Sequence, residues 1–325
     1  MAHSHTHDGI DWPGRLAAMR RSDELGAQAI GAVAERLVDL ARDRGTGAAR
    51  GVGGPDAGER SAGAGDADGA DRDLVVVDVG SGAGGMSAAL AAALVGRGGG
   101  GRVVLVDAVP ELLEASAAHV EQVIGGSDQV EVSTVRVDAA SEELPELISD
   151  ADLVWASQVV HHLPDQRKGI EGLVRVLAPG GWLALGEGGL PMRCLPWDVG
   201  VGEPGLGDRL SAAQTAWFAE MRATMPGVTR LPVGWTRAIA DAGLTEVSSF
   251  TYLIDHPAPP SELVKQSVVD WLAWYTGAAL DRLGEADQIA LARLLDPVDP
   301  AFVGARDDVF VLRAATVHLG RKTSG

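Results

Sequence analysis

The sequence predicts an α/β fold built on a mostly parallel sheet with helices on both faces. Between residues 74 and 187, short apolar runs alternate with segments whose apolar residues recur every three or four positions. This strand–helix alternation is typical of parallel sheets. The first run, LVVVDV, also passes directly into the glycine-rich turn GSGAGG and an alanine-rich helix. With 325 residues, the chain is long enough to bury the core of such a sheet.

Each element of the sheet region is predicted from its pattern of apolar residues. Strands are predicted at 74–79, 102–107, 130–137, 151–157 and 181–187, and helices at 84–96, 110–124, 141–148 and 166–177. A further helix at 235–242 precedes TEVSSFTYLI, and DVFVLRAATVHLG near the end is predicted to be one long strand. These last two strands would bring the sheet to seven.

The pattern also divides the chain into parts. Residues 12–42 predict an amphipathic helix within an N-terminal lid segment, 1–44, and 74–325 form the main domain. Between them, 45–73 is rich in Gly, Ala and Asp with almost nothing to bury, so we expect a disordered, flexible linker.

Two long, proline-punctuated insertions interrupt the later half of the domain. They cover 188–234 and 257–305, with helices predicted at 211–225, 261–282 and 285–295. Insertions of this length are usually lids or substrate covers, and both would follow strands of the later half of the sheet.

The composition limits the ligands, partners and cellular locations that are compatible with the chain. A formal net charge of −18 argues against a nucleic-acid substrate, which requires a basic surface. No apolar run is long enough for a membrane span, and the start lacks the regions of a signal peptide, so we expect a soluble cytoplasmic protein. The single cysteine, Cys194, excludes an intrachain disulfide. His3, His5 and His7 alternate at the start, but no further ligand lies nearby, and we predict no metal site.

The glycine-rich turn satisfies two ligand-binding spacings at once. Gly80, Gly82 and Gly85 spell G-x-G-x-x-G, the dinucleotide fingerprint. Asp78 with Gly80, Gly82 and Gly84 spells D-x-G-x-G-x-G, which suits a different nucleoside ligand. No Lys or Arg occurs in this stretch, which excludes a triphosphate-binding P-loop.

Three aspartates lie at the ends of successive predicted strands and help to distinguish the two kinds of ligand. Asp107 can accept hydrogen bonds from a ribose diol, which both kinds of ligand carry. Asp78 would repel a pyrophosphate but suits a ligand with an ammonium and a sulfonium group. Asp138 could bind an adenine amino group or cap the segment that begins near Ser141, and the spacing leaves both open.

Five segments in order then resemble a known family. VVVDVGSGAGG, LVDA, VDAAS, ADLVWASQVVHHLPD and VLAPGGWLALGE, within residues 74–190, resemble the motif series of the class I S-adenosylmethionine-dependent methyltransferases. The resemblance implies a Rossmann-like seven-stranded sheet whose last strand is antiparallel. It also implies S-adenosyl-L-methionine as cofactor and S-adenosyl-L-homocysteine as product.

The resemblance assigns cofactor contacts by position. The methionine part would be surrounded by the residues of the turn: Asp78, Gly80, Ser81, Gly82 and Gly84. Asp107 would bind the ribose, Ala108 would flank the adenine, and the adenine edge would contact Asp138 and Ala139. The methyl-transfer site would be lined by Ser157 and Gln158. Related enzymes often fold an N-terminal helix over the cofactor, so Trp12 and Arg15 are candidates for a lid.

Three residues after the fourth and fifth strands are candidates for catalysis: His161, His162 and Glu187. A base is required only if the acceptor must lose a proton, and His161 is our preferred base. Each histidine could instead be structural, and Glu187 could instead secure the neighbouring loop.

Aromatic residues concentrate in and beside the insertions: Trp197, Trp217, Trp235, Trp271, Trp274 and Tyr275. Core packing would explain most of them, but an aromatic cover suits a planar acceptor. The sequence therefore favours methyl transfer to a small molecule, aromatic and of specialised metabolism. The alternatives are an NAD-dependent oxidoreductase and a non-catalytic cofactor-binding protein. Exchange of the N-terminal helix between subunits would give a homodimer.

Overall fold

The computed structural model describes residues 12–43 and 73–324. The predictions for His3, His5 and His7 and for 45–72 of the linker lie outside the described residues. The α-helices are α1 (Trp12–Arg42), α2 (Gly85–Gly96), α3 (Pro110–Ile124), α4 (Leu144–Leu147), α5 (Gln166–Val176), α6 (Leu206–Ala223), α7 (Trp235–Asp241), α8 (Glu262–Ala278) and α9 (Glu285–Leu295). The strands are β1 (Leu74–Val79), β2 (Gly101–Asp107), β3 (Val130–Arg136), β4 (Ala151–Ser157), β5 (Leu177–Arg193), β6 (Thr245–His256) and β7 (Val311–Arg321).

The seven strands form one sheet in the order β3-β2-β1-β4-β5-β7-β6. β1 to β5 are parallel, and β7 is antiparallel to both of its neighbours, β5 and β6. The predicted seven-stranded sheet with an antiparallel last strand is therefore confirmed. Helices α1, α2 and α3 pack on one face of the sheet, and α4, α5 and α7 pack on the other.

β1 lies at the centre of the parallel part and is buried along almost its whole length. A parallel strand covered on both faces consists of continuous apolar residues, which explains the run LVVVDV. The chain order reverses beside β1, since β2 lies on one side and β4 on the other. Ligands of open α/β sheets bind at such a reversal, beyond the carboxyl ends of the strands.

Several elements differ from their predicted bounds; the helix predicted at 211–225, for example, is Leu206–Ala223. Three of the differences have local reasons. β5 extends to Arg193 because it continues to pair with β7 after β4 has ended. The helix predicted at 141–148 is only Leu144–Leu147, since side chains of Asp138 and Ser141 bond nearby backbone N–H groups in a turn. The helix predicted at 261–282 ends at Ala278, and a 3-10 turn, Leu280–Arg282, follows.

The two insertions pack together. Apolar side chains of α6, α8 and α9 share one buried cluster, which also includes Leu25 of α1. Arg209 of α6 donates to Asp287 of α9 at 2.7 Å, and Tyr275 of α8 donates to Gln214 of α6 at 3.3 Å. We call this unit of α6, α8 and α9 the cap. Within the described ranges, no helix combines the length and apolar character that crossing a membrane requires.

Candidate active site

The glycine-rich turn after β1 has a backbone that side chains would obstruct. Gly80, Gly82 and Gly84 have φ angles of 75°, 55° and 91°, in the left-handed region that favours glycine. A Cβ on Gly80 would lie 2.3 Å from Cγ2 of Val159, and one on Gly84 would lie 2.7 Å from Cα of Ser116. The glycines therefore let the turn approach both the loop after β4 and helix α3.

The end of β2 holds this turn in place. Gly80 N and Ser81 N donate to the Val106 carbonyl at 2.7 and 3.0 Å. Gly82 N donates to Oδ2 of Asp107 at 3.2 Å, and the other oxygen of Asp107 accepts from the backbone two residues on at 3.0 Å. The carboxylate of Asp107 thus lies against the turn, at the position where the sequence predicts the ribose.

Asp78, at the end of β1, is 2% exposed. It accepts a 2.5 Å hydrogen bond from Ser87 Oγ, on the first turn of α2. Burial raises the pKa of Asp78 to about 7, and the negative charges of Asp107 and Asp23 add to the shift, while the Ser87 hydrogen bond opposes it. Its direct contact is with α2, so its influence on a ligand passes through the turn that it supports.

Helix α1 covers the turn with two side chains that the sequence did not single out. Gly85 N donates to Oδ2 of Asp23 at 3.2 Å, and a Cβ on Gly82 would lie 2.8 Å from Cε of Met19. Burial raises the pKa of Asp23 to about 6. The signal in the sequence is an acid four residues after Met19, on the same face of a helix. The first turn of α1 brings Arg15 over the Trp12 ring, at 6.0 Å from its centroid.

The remaining predicted cofactor residues lie along the same edge of the sheet. Asp138 accepts from Ala140 N at 2.8 Å within its own turn and does not cap a helix, because α4 begins only at Leu144. Its half-buried side chain lies on this edge. Ser157 Oγ and Gln158 Nε2 both donate to the Gly186 carbonyl, at 3.2 and 3.3 Å. Gln158 has a φ of 56°, an uncommon strained conformation for a residue with a side chain. Ala108 and Ala139 directly follow Asp107 and Asp138.

Glu187 and His161 meet beyond the end of β4, where β5 continues past its pairing with β4. Glu187 is 1% exposed, and its Oε2 lies 2.7 Å from Nδ1 of His161. Its Oε1 accepts from the backbone N–H groups of Val159, Val160 and His161, at 3.1, 2.8 and 3.4 Å. Glu187 therefore secures the loop after β4, as one of the two interpretations from the sequence predicts, and also contacts the imidazole of His161.

This arrangement determines which nitrogen of His161 can act as a base. A carboxylate only accepts hydrogen bonds, so Nδ1 carries the proton that lies between the two groups. Nε2 then holds the lone pair, and the side chain is 20% exposed. His162 is exposed, with its ring centroid 4.1 Å from that of His161.

Aromatic rings continue from the histidines into the cap. The ring of Phe218 lies 5.4 Å from His161, and next to it Trp217 packs edge-to-face on Trp274 at 5.1 Å. Trp274 in turn contacts Tyr275 at 5.0 Å. Trp197 and Trp235 lie outside this row: Trp197 is 72% exposed, and Trp235 packs on the α5 and α7 side of the sheet.

Comparison with known proteins identifies the domain. Residues 77–183 match the model of a family described as a methyltransferase domain. A 49-residue segment is 47% identical to 27-O-demethylrifamycin SV methyltransferase of Amycolatopsis mediterranei. That match covers 15% of this chain and 18% of the relative, so the chain spans less than a fifth of the length of the curated enzyme it matches.

Solved structures of similar architecture include YcgJ from Bacillus subtilis, at 18% identity and a TM-score of 0.42, with 78% of this chain and 94% of that chain covered. The [4+2]-cyclase SpnF is 18% identical with a TM-score of 0.38, and 90% of this chain and 82% of that chain are covered. The family match, the strand order and the glycine-rich turn together assign this domain to the class I S-adenosylmethionine-dependent methyltransferases. The cofactor of this class is S-adenosylmethionine.

Proposed function

We propose that this protein transfers the methyl group of S-adenosylmethionine to a small-molecule acceptor, with His161 as the general base and Glu187 as the residue that orients it. The observation that carries the proposal is the 2.7 Å contact between these two side chains. It lies just beyond the end of β4, beside the glycine-rich turn. The two are close enough that a Cβ on Gly80 would collide with Val159 of the same loop.

The residues around the turn fit a positively charged nucleoside ligand. Three carboxylates, those of Asp23, Asp78 and Asp107, lie close enough together that the charges of the other two raise the pKa of Asp78. A cation nearby would offset this mutual repulsion, whereas a pyrophosphate would increase it. The charge distribution therefore favours S-adenosylmethionine over NAD, which is the main alternative.

In the proposed site, Asp107 holds the ribose, Asp138 and Ala139 contact the adenine edge, and the turn encloses the methionine part. Bound S-adenosylmethionine supplies a methyl group on a positively charged sulfur, which an acceptor atom can displace. His161 takes the acceptor proton at Nε2, while Glu187 holds the Nδ1 proton and stabilises the imidazolium that forms. The cap, together with α1, would exclude water and hold the acceptor in line, which can contribute about 7–11 kcal/mol.

We propose an aromatic or otherwise planar acceptor of specialised metabolism. The row of rings from Phe218 to Trp274 supports this, because it begins beside His161 and presents apolar, flat surfaces. The segment shared with a rifamycin methyltransferase also supports it. We further propose that the enzyme is cytoplasmic. We also propose that it forms a homodimer by exchange of α1 between subunits, and light scattering would test this oligomeric state.

The first experiment is calorimetric titration of the full chain with S-adenosylmethionine, S-adenosylhomocysteine and NAD, on the wild type and Asp107→Ala. We expect micromolar binding of the first two, lost in the variant. Binding of NAD alone would overturn the proposal. A screen of aromatic acceptors by mass spectrometry follows, and cofactor binding without any methylated product would favour a non-catalytic cofactor-binding protein.

A further inference from the structure

We infer that Arg222 and Phe218 of α6 position the general base, so that the cap sets the alignment of His161. The inference rests on the proposed function, since it gives the cap a part in the same site. Neither residue belongs to the motifs that carry the family resemblance, and both contact the loop after β4 from an insertion about 60 positions further along the chain.

The guanidinium of Arg222 is bonded to backbone carbonyls of this loop. Nη1 donates to the carbonyls of His161 and Leu163 at 2.6 and 2.8 Å, and Nη2 donates to that of Pro164 at 3.3 Å. Among the described residues, no carboxylate forms a salt bridge with Arg222. A planar fork with donors in fixed directions suits several carbonyls at once, which a lysine could not match.

Phe218 lies one helical turn before Arg222 and therefore on the same face of α6. Its ring centroid is 5.4 Å from that of His161 and 5.8 Å from that of His162. At this distance the ring limits the space in which the imidazole of His161 can rotate.

The loop is thus held at both ends by side chains of opposite charge. Glu187 accepts from the N–H groups at the start of the 3-10 turn Val160–His162, and Arg222 donates to carbonyls at its end. An anion at the start and a cation at the end of a helical turn both match its dipole. Because Arg222 belongs to the cap, an acceptor that moves α6 also moves the backbone that carries His161.

The chain offers a matched control at the other end of α6. Arg209 bonds the carboxylate of Asp287 at 2.7 Å and the carbonyl of Pro204 at 2.7 Å, and none of its bonds reaches the histidine loop. Arg222→Met and Arg209→Met both remove an arginine that anchors α6. Only the first removes the contacts to His161.

The test compares these variants without any acceptor. NMR would observe the imidazole N–H proton of His161, assigned with His161→Gln, and the exchange rates of the loop amides. We expect Arg222→Met to broaden or lose that signal and to speed amide exchange at Val160 at least tenfold, with the affinity for S-adenosylmethionine within threefold of wild type. Arg209→Met should keep the signal. If Arg222→Met fails to fold, Phe218→Leu replaces it, and we expect it to shift the same imidazole signal.

Equal spectra and exchange rates for wild type and both Arg variants would overturn the inference. Once an acceptor is found, Arg222→Met should lower kcat at least tenfold with little change in the KM for S-adenosylmethionine, and Arg222→Lys should recover part of the loss. The NMR measurements require no methyl transfer. A failed acceptor screen would therefore count against the proposed function only, and the spectra of the Arg222 and Arg209 variants would still show whether Arg222 positions His161.

Discussion

Asp78, near the end of β1, and Glu187, within β5, are both carboxylates on central strands, and both are almost completely buried, at 2% and 1% exposure. Their surroundings differ. Asp78 has a single hydroxyl donor, from Ser87, and lies near two other acids, so burial and repulsion raise its pKa. Glu187 accepts from three backbone N–H groups and an imidazole. Equal burial therefore has different consequences: burial and the neighbouring acids disfavour the charged form of Asp78, whereas Glu187 holds the loop after β4 and the imidazole of His161.

The largest expected effect tests the second half of this comparison. We expect His161→Ala to lower the rate of methyl transfer by about 10²–10⁴-fold if the acceptor must lose a proton. Steady-state kinetics and calorimetric binding of S-adenosylmethionine would measure it, with binding unchanged. His162→Ala is the control, because the contact with Glu187 belongs to His161. Equal losses in both variants would contradict the assignment of the base.

The two carboxylates should also respond differently to the same chemical change. Glu187→Gln places an amide N–H₂ group near donors, so we expect the free energy of unfolding to fall by roughly 2 kcal/mol or more, since bonds to charged groups are worth about 1.5–3 kcal/mol each. Asp78→Asn removes a charge that burial already disfavours, and we expect a loss below about 1 kcal/mol at pH 7. Urea unfolding would measure both. A larger loss for Asp78→Asn would show that the comparison is wrong.

The same contrast explains what the sequence could predict. β1, the glycine-rich turn and α2 are consecutive in the chain, and Ser87, the hydrogen-bond partner of Asp78, is nine positions away. Apolar runs and glycines were therefore sufficient to predict the sheet and its order of elements, whereas the cofactor contacts of the strand-end acids stay a prediction. The double assignment of Asp138 stayed open because one spacing serves a cap and a ligand equally.

Other contacts of the candidate site join residues that are far apart in the sequence, and no local sequence pattern reveals them. Arg222 lies 61 positions from the carbonyl it binds at His161, and Asp23 lies 62 positions from the N–H group of Gly85. Arg21 and Asp270, which join α1 to the cap, are 249 positions apart. In the sequence these residues resemble ordinary charges on amphipathic helices, and only the packed fold shows which of them face the loop and the turn.

The raised pKa values predict how cofactor affinity changes with pH. Asp23 and Asp78 have pKa values of about 6 and 7, above the ordinary 3.8, so both bind protons more tightly in the folded than in the unfolded protein. Their ionisation costs stability as pH rises through 6–7, and a cationic ligand offsets that cost. We expect affinity for S-adenosylmethionine to rise about tenfold from pH 5.5 to 7.5 by calorimetry. S-adenosylhomocysteine, which lacks the sulfonium charge, should show a smaller rise, and equal slopes would contradict the electrostatic account.

The smallest expected effect assigns part of that slope to α1. The half-buried carboxylate of Asp23, on α1, accepts from Gly85 N at the start of α2 and carries one of the three interacting charges. Asp23→Asn should keep much of the hydrogen bond to Gly85 through its carbonyl oxygen but lose the charge. We expect about threefold weaker binding of S-adenosylmethionine at pH 7.5 and little change at pH 5.5, where the native residue is mostly protonated. Glu24→Gln, next to it on α1, is the control variant. A uniform loss at both pH values would mean that Asp23 acts by packing α1 onto the turn rather than by its charge.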